Sequence, residues 1–218
     1  MIGRGDDLAG EAILTKAGID VSRETRERLE AYVGMLREWQ ARINLVSPTT
    51  LDSLWERHIV DSLQLHALKP RALCWADMGS GGGLPGIVIA CALAGRAGAQ
   101  IHLIESNHKK AAFLRAVSVA LELPTTIHAM RIEEAIPRLP AIDVLTARAL
   151  AQLSDLIAYG NLLLKSGAIG LFPKGRDYQL ELTDALRSWQ FSYQLHDSIT
   201  EPASRIIELA FDPLRQPG

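Results

Sequence analysis

The chain has 218 residues, of which 48% are hydrophobic and 22% charged, the balance of an ordinary globular protein with enough apolar material for one sizeable core. Its formal net charge of −2 argues against an indiscriminate nucleic-acid-binding domain, which is strongly basic, while leaving room for a local basic patch. No apolar run approaches the roughly 18 residues needed to span a bilayer, and the start, Met1 to Asp7, lacks a charged-then-apolar signal pattern, so a cytoplasmic location is expected.

Ser22 is a candidate N-cap with Glu24 in the first turn, and Leu29, Tyr32, Val33, Leu36, Trp39 and Ile43 follow it at helical spacing. A second amphipathic helix is expected after Thr50, with Leu51, Leu54, Trp55, Ile59 and Leu63 on one side and Arg57, Asp61 and Gln64 toward another. From Ala72 short apolar runs alternate with helical stretches. Strands are predicted near 72–77, 101–105, 125–128, 142–147 and 167–172, and helices near 86–94, 108–121, 152–163 and 177–188. Such alternation implies right-handed crossovers and a mostly parallel sheet. The last two strands, near 191–197 and 204–211, are too close for a helical crossover and should form an antiparallel hairpin. Cys74 and Cys91 lie in apolar runs without metal-ligand spacing, which predicts buried, reduced thiols and no metal site. Both extreme ends, including Asp212 to Gly218, read as disordered tails.

The run Asp77-Met78-Gly79-Ser80-Gly81-Gly82-Gly83-Leu84-Pro85-Gly86 places a glycine-rich turn between a strand and a helix, where a ligand can approach backbone amides without interference from Cβ atoms. Gly81 to Gly86 satisfies the dinucleotide pattern G-x-G-x-x-G. Asp77, however, ends the strand two residues before the first glycine. A carboxylate there would repel a pyrophosphate and suits a cationic amino-acid ligand, and D-x-G-x-G-x-G after a first strand is the opening motif of Rossmann-like methyltransferases. The second strand, Ile101 to Glu105, ends in an acid 22 residues after Gly83, a spacing suited to chelating ribose hydroxyls. Glu105 supports an adenosine ligand without separating NAD from S-adenosyl-L-methionine; Asp77 and the terminal hairpin favour S-adenosyl-L-methionine. The fold expected is α/β: a Rossmann-like class I methyltransferase with a seven-stranded, mostly parallel sheet. An N-terminal helical extension over about 22–70 joins a core over about 72–211 as one domain.

Six motifs in order, the glycine loop among them, carry a resemblance: Ile43-Asn44-Leu45-Val46-Ser47, Arg57-His58-Ile59-Val60-Asp61-Ser62-Leu63, Gly79 to Gly86, Glu105-Ser106 with Lys109-Lys110-Ala111-Ala112-Phe113-Leu114, Ala147-Arg148-Ala149-Leu150-Ala151, and Phe172-Pro173-Lys174-Gly175. Over roughly residues 25 to 211 the chain resembles the RsmG (GidB) methyltransferases. The resemblance implies methylation of N7 of a guanine in 16S ribosomal RNA, guanine 527 in the family's usual numbering. It implies cofactor contacts at Gly79, with Gly81 in the same loop, and at Leu84, Ile132, Glu133 and Arg148. The chain departs from the family's commoner residues at Gly82, Leu84, Ala147 and Ile132, keeping small or apolar character at each.

Guanine N7 has an exposed lone pair and no proton, so it can attack a sulfonium methyl directly and needs no general base. Alignment of N7, methyl carbon and sulfur is then the main demand on the protein, and in favourable cases it supplies up to roughly 7–11 kcal/mol. No catalytic dyad stands out; Arg148 and His58 are the candidates nearest to a catalytic role. Arg148, at a strand end where ligands of open α/β sheets gather, either meets ligand or pairs with Asp143 or Glu133. His58 with Asp61 at i, i+3 reads either as an acid–base pair or as a structural hydrogen bond, and Arg57 with Asp61 at i, i+4 as a helix-surface ion pair. RNA contact is expected at Arg57, His58, Lys109, Lys110, Lys174 and Arg176, with Lys174 favoured because it follows a strand at the presumed active-site edge. The partner is 16S ribosomal RNA or a small-subunit particle, the protein a monomer. The alternatives are a methyltransferase acting on a small molecule or protein, and a non-catalytic regulator that binds an adenosine ligand.

Overall fold

The structure, a computed structural model, describes residues 4–211; the expectation for the tail from Asp212 to Gly218 lies outside the described residues. Helix α1 (Arg4–Lys16) occupies a stretch where the sequence suggested no element. It packs on the turn around Trp55 and buries Leu14 in the core, a tertiary contact with no periodic signature of its own. Helix α2 (Arg23–Gln40) begins as expected, with the Ser22 hydroxyl accepting from the Thr25 amide at 3.2 Å, and it buries Leu29, Tyr32, Val33 and Leu36. The helix expected after Thr50 is irregular: a 3₁₀ turn (Pro48–Ser53), a π-helical turn (Trp55–Val60) and then α3 (Asp61–Leu68). The π turn offsets the apolar stripe, and Leu54, Trp55, Ile59 and Leu63 are still buried.

The sheet follows in the expected alternation: β1 (Cys74–Met78), α4 (Gly86–Leu93), β2 (Gln100–Ile104), α5 (His108–Ala120), β3 (Thr125–His128), the short α6 (Ile132–Ala135), β4 (Val144–Thr146), α7 (Leu153–Lys165), β5 (Ile169–Lys174), α8 (Tyr178–Ser188), β6 (Ser192–Asp197) and β7 (Arg205–Ala210). The strand order is β3-β2-β1-β4-β5-β7-β6, parallel except that β7 runs antiparallel between β5 and β6. The order reverses at β1 and β4, which lie side by side, so a crevice opens beyond their carboxyl ends. Side chains alternate along β1. Trp75 joins one apolar cluster with α2, α3, α4 and α5, and Ala76 and Met78 join another with α7 and α8. Of the two cysteines, Cys91 is buried as expected, whereas Cys74 is half-buried; both are free thiols.

Candidate active site

The loop between β1 and α4 is braced from below by Asp77. That side chain is 1% exposed, and its Oδ2 accepts from the Gly86 amide at 3.1 Å. A Cβ on Gly86 would sit 2.7 Å from that same oxygen, so only glycine lets helix α4 start here. The other oxygen, Oδ1, is buried without a hydrogen-bond partner. Burial pushes the Asp77 carboxyl up to about 7, against the opposing pull of the Gly86 amide. Gly79 has φ +69°, and a Cβ there would meet Leu150 at 2.7 Å. From outside, the buried Tyr32 hydroxyl of α2 donates to the Gly82 carbonyl at 2.6 Å, so the helical extension holds the loop directly. The expectation that Asp77 meets a cationic ligand is revised in one respect. The side chain lies under the loop and lines neither cavity described below, because the sheet and α4 enclose it.

Glu105, just past β2, reaches across to the loop. One carboxylate oxygen accepts from the Gly81 amide at 2.9 Å and the other from the Asn107 amide at 2.7 Å. Each oxygen retains acceptor capacity. Asn107 caps α5, its side-chain oxygen accepting from the Lys109 and Lys110 amides. A cavity of about 320 Å³ opens beside these groups, large enough for a nucleoside-sized ligand. Gly79, Gly81, Glu105, Ile132 and Glu133 line it together with Met130, Arg131 and Tyr159, which the sequence did not single out.

Leu84 and Arg148, expected beside them, face instead a second, larger cleft of about 590 Å³. Arg57, His58, Asp61, Lys174 and the β6–β7 loop also border it. The two cavities share Gly79, Gly81, Lys110, Ala149 and Ala151. Ala149 itself has φ +52°, a left-handed conformation costly for a residue with a Cβ and characteristic of functional turns.

Several expected pairings are corrected in this cleft. Asp61 pairs with neither Arg57 nor His58: it takes the Arg148 guanidinium at 3.3 Å, the Thr200 hydroxyl at 2.8 Å and the Gln64 amide at 2.8 Å. Arg57 instead meets Glu201 of the β6–β7 loop at 3.3 Å. Arg148 thus pairs with neither Asp143 nor Glu133; the Asp143 carboxylate caps the amides of Leu73 and Cys74. His58 Nε2 lies 2.8 Å from the Thr50 hydroxyl, and burial together with the Arg148 and Arg57 charges drives its pKa down to about 4. It is therefore neutral at physiological pH. Lys174, the favoured RNA contact, borders the cleft but is 9% exposed and committed to Glu181 and to the Ala151 carbonyl, each at 2.7 Å. Lys109 and Arg176 are exposed and line neither cavity.

A model of the family described as rRNA small subunit methyltransferase G matches residues 25–207. A ribosomal RNA small subunit methyltransferase G of Rhodopseudomonas palustris (strain BisB18) is 48% identical over 96% of this chain and 91% of its own. One from Rhizobium meliloti (strain 1021) is 45% identical over 92% and 96%. Among solved structures, the O-methyltransferase TomG of Streptomyces achromogenes in complex with SAM aligns with TM-score 0.60 at 14% identity, covering 93% of this chain and 96% of that one. A SAM-dependent O-methyltransferase of Thermotoga maritima aligns with TM-score 0.58 at 15% identity, covering 86% and 73%. These two likenesses concern the fold.

Proposed function

The chain belongs to the rRNA small subunit methyltransferase G family, and we propose that it transfers the methyl group of S-adenosyl-L-methionine to N7 of a guanine in 16S ribosomal RNA. The observation that carries this reading is the meeting of the two cavities at Gly79, Gly81, Ala149 and Ala151. The smaller is suited to the methyl donor. Glu105 stands where ribose hydroxyls would be chelated, the first turn of α6, with Ile132 and Glu133, borders the adenine, and the glycine loop leaves room for the amino-acid portion. Asp77 adds an anionic field beneath that portion without touching it. Its Oδ1 has no hydrogen-bond partner among the described residues, and burial raises its pKa to about 7.

The larger cleft receives the acceptor. S-adenosyl-L-methionine supplies an electrophilic methyl on a sulfonium. N7 needs no deprotonation, so the protein's work is to orient the base and keep water out. Arg148, held by Asp61 and by the Arg57 carbonyl at 3.2 Å, is fixed at the junction and positions the acceptor. A neutral His58 agrees with a mechanism without acid–base catalysis. Lys110, which borders both cavities and has no side-chain partner among the described residues, serves as a phosphate contact, and Lys109 and Arg176 extend the same electrostatic approach. The protein works as a cytoplasmic monomer of one domain.

The decisive experiment incubates the protein with tritiated S-adenosyl-L-methionine and small-subunit RNA or particles lacking the modification, then maps N7-methylguanine by reductive strand cleavage. Label at a single guanine is expected; an unlabelled RNA would refute the acceptor. Calorimetry separates the cofactor question: binding of S-adenosyl-L-methionine is expected, and binding of NAD alone would overturn the donor assignment.

A further inference from the structure

Among the described residues, four basic side chains that line the acceptor cleft hold a carboxylate: Arg205, which pairs with Asp197 at 3.1 Å and is held by the Pro202 and Ser204 carbonyls, and three others whose pairs differ sharply in exposure. Lys174 and Glu181 are 8% and 15% exposed, and Arg148 and Asp61 are 17% and 18% exposed. Arg57 and Glu201 are 50% and 43% exposed, and their closest approach is 3.3 Å. The first two pairs are supported by further hydrogen bonds and are expensive to separate. The third is a weak, solvent-screened contact that an incoming anion can replace.

The surroundings of that third pair are nevertheless fixed. The Arg57 carbonyl accepts from Arg148, which anchors the backbone that carries Arg57. Glu201 sits in the β6–β7 loop, and Gln64 and Asp61 clasp that loop through the Ile199 amide at 3.0 Å and the Thr200 hydroxyl. The pair therefore joins two firmly placed segments across the mouth of the cleft. Hydroxyls of Ser198, Thr200 and Ser204 line the same edge. The guanidinium gives a single N–H to the Glu201 carboxylate, and it can give the same N–H to a phosphate oxygen of the same charge.

We propose that Arg57 is a seat for a backbone phosphodiester of the RNA and that Glu201 occupies this seat in the free protein, to be displaced when RNA enters the cleft. The proposal rests on the reading of the cleft as an RNA acceptor site and adds to it a competition inside the protein. The carboxylate shields the guanidinium, so that RNA binding exchanges one ion pair for another. A polyanion with a weak hold elsewhere gains little from that exchange, whereas an RNA whose shape fits the cleft has its other contacts to drive it.

The test is a double-mutant cycle on the full chain, read as affinity for a labelled transcript of small-subunit ribosomal RNA. Glu201→Gln removes an acid that points at the cleft, and it is expected to tighten binding by about two- to fivefold at low salt, the range implied by an exposed pair. Arg57→Gln is expected to weaken binding and to flatten the salt dependence by about 0.7 in the logarithmic slope, one single-strand phosphate contact. In the Arg57→Gln background, Glu201→Gln should have no effect. Both side chains are half exposed, so thermal melts of all four proteins should coincide. Unchanged or weaker binding by Glu201→Gln overturns the proposal. So does a gain that persists without Arg57, because that would be a general effect of net charge. Methylation by the wild type, measured alongside, separates the two levels. A wild type that methylates its RNA but fails the cycle leaves the function standing and removes the seat; one that neither binds nor methylates RNA refutes both.

Discussion

Replacing Asp77 by Asn tests whether a buried, half-partnered carboxylate lies beneath the glycine loop. Burial raises its pKa from the ordinary 3.8 to about 7. The folded state therefore holds the proton more tightly than the unfolded chain does. The group's contribution to stability is complete below about pH 4 and is lost as pH rises toward 7. Each pH unit in that window costs roughly 1.4 kcal/mol, so between pH 5 and pH 8 the wild type should lose on the order of 3 kcal/mol through this one residue. Asparagine keeps an acceptor for the Gly86 amide and cannot ionise. Urea unfolding of both proteins at pH 5 and pH 8 isolates the effect, because His58, His66, His102 and His128, whose pKa values burial lowers, titrate alike in both and cancel in the difference. The variant should gain about 2–3 kcal/mol on the wild type between the two pH values, while its affinity for S-adenosyl-L-methionine falls. Parallel stability profiles would refute the assignment of a buried, protonating carboxyl.

Tyr32→Phe leaves the Gly82 carbonyl without its donor and should cost about 1–3 kcal/mol in chemical denaturation, with weakened donor binding in calorimetry. Because His58 is driven to a pKa of about 4, its ring should show no NMR titration above pH 5, and methylation should carry no inflection from it between pH 6 and 8. Its lowered value also means that whatever it contributes to stability is complete above about pH 6.5 and is lost toward pH 4. His58→Gln, which can keep the contact with Thr50, should retain most activity. Lys174→Ala strands the Glu181 carboxylate, which also accepts from the Leu153 amide, and should destabilise by roughly 3 kcal/mol.

The core from β1 onward was legible because each strand is a short apolar run bounded by turns, and the structure moves its ends by only a residue or two: 72–77 became Cys74–Met78, and 191–197 became Ser192–Asp197. The loop was legible for the same local reason, since glycine spacing is a property of consecutive residues. Pairing of charges was not. Arg57 and Asp61 stand one helical turn apart and suggest each other, yet Arg57 finds Glu201, 144 residues away, while Asp61 is taken by Arg148, Thr200 and Gln64. Lys174 shows both halves. Its place at the end of β5 could be read from the apolar run before it, but its burial depends on α8 bringing Glu181 over it, which no local pattern encodes. Tyr32 was read as one more core residue at helical spacing; its ring is such a residue, and only its hydroxyl reaches the loop.

These long-range contacts change what the helical extension is for. An extension that only covered the sheet would need apolar side chains alone, and α2 supplies them against α4 and α5. Here it also supplies the Tyr32 hydroxyl to the glycine loop, Leu45 and Val46 to the wall of the acceptor cleft, and Asp61 and Gln64 to the β6–β7 loop. The two extremes of the described chain are thereby tied to each other across the cleft, and Arg148 from the middle is fixed between them. The smaller cavity, in contrast, is lined, among the described residues, by residues from Gly79 to Tyr159. The smaller cavity thus draws on one stretch of sequence, whereas the larger cleft exists only once the N-terminal helices and the β6–β7 loop have folded onto it. That division explains why Gly79, Gly81, Glu105, Ile132 and Glu133, which line the smaller cavity, could be picked out from local motifs, and why the wiring of the larger cleft had to be seen in three dimensions.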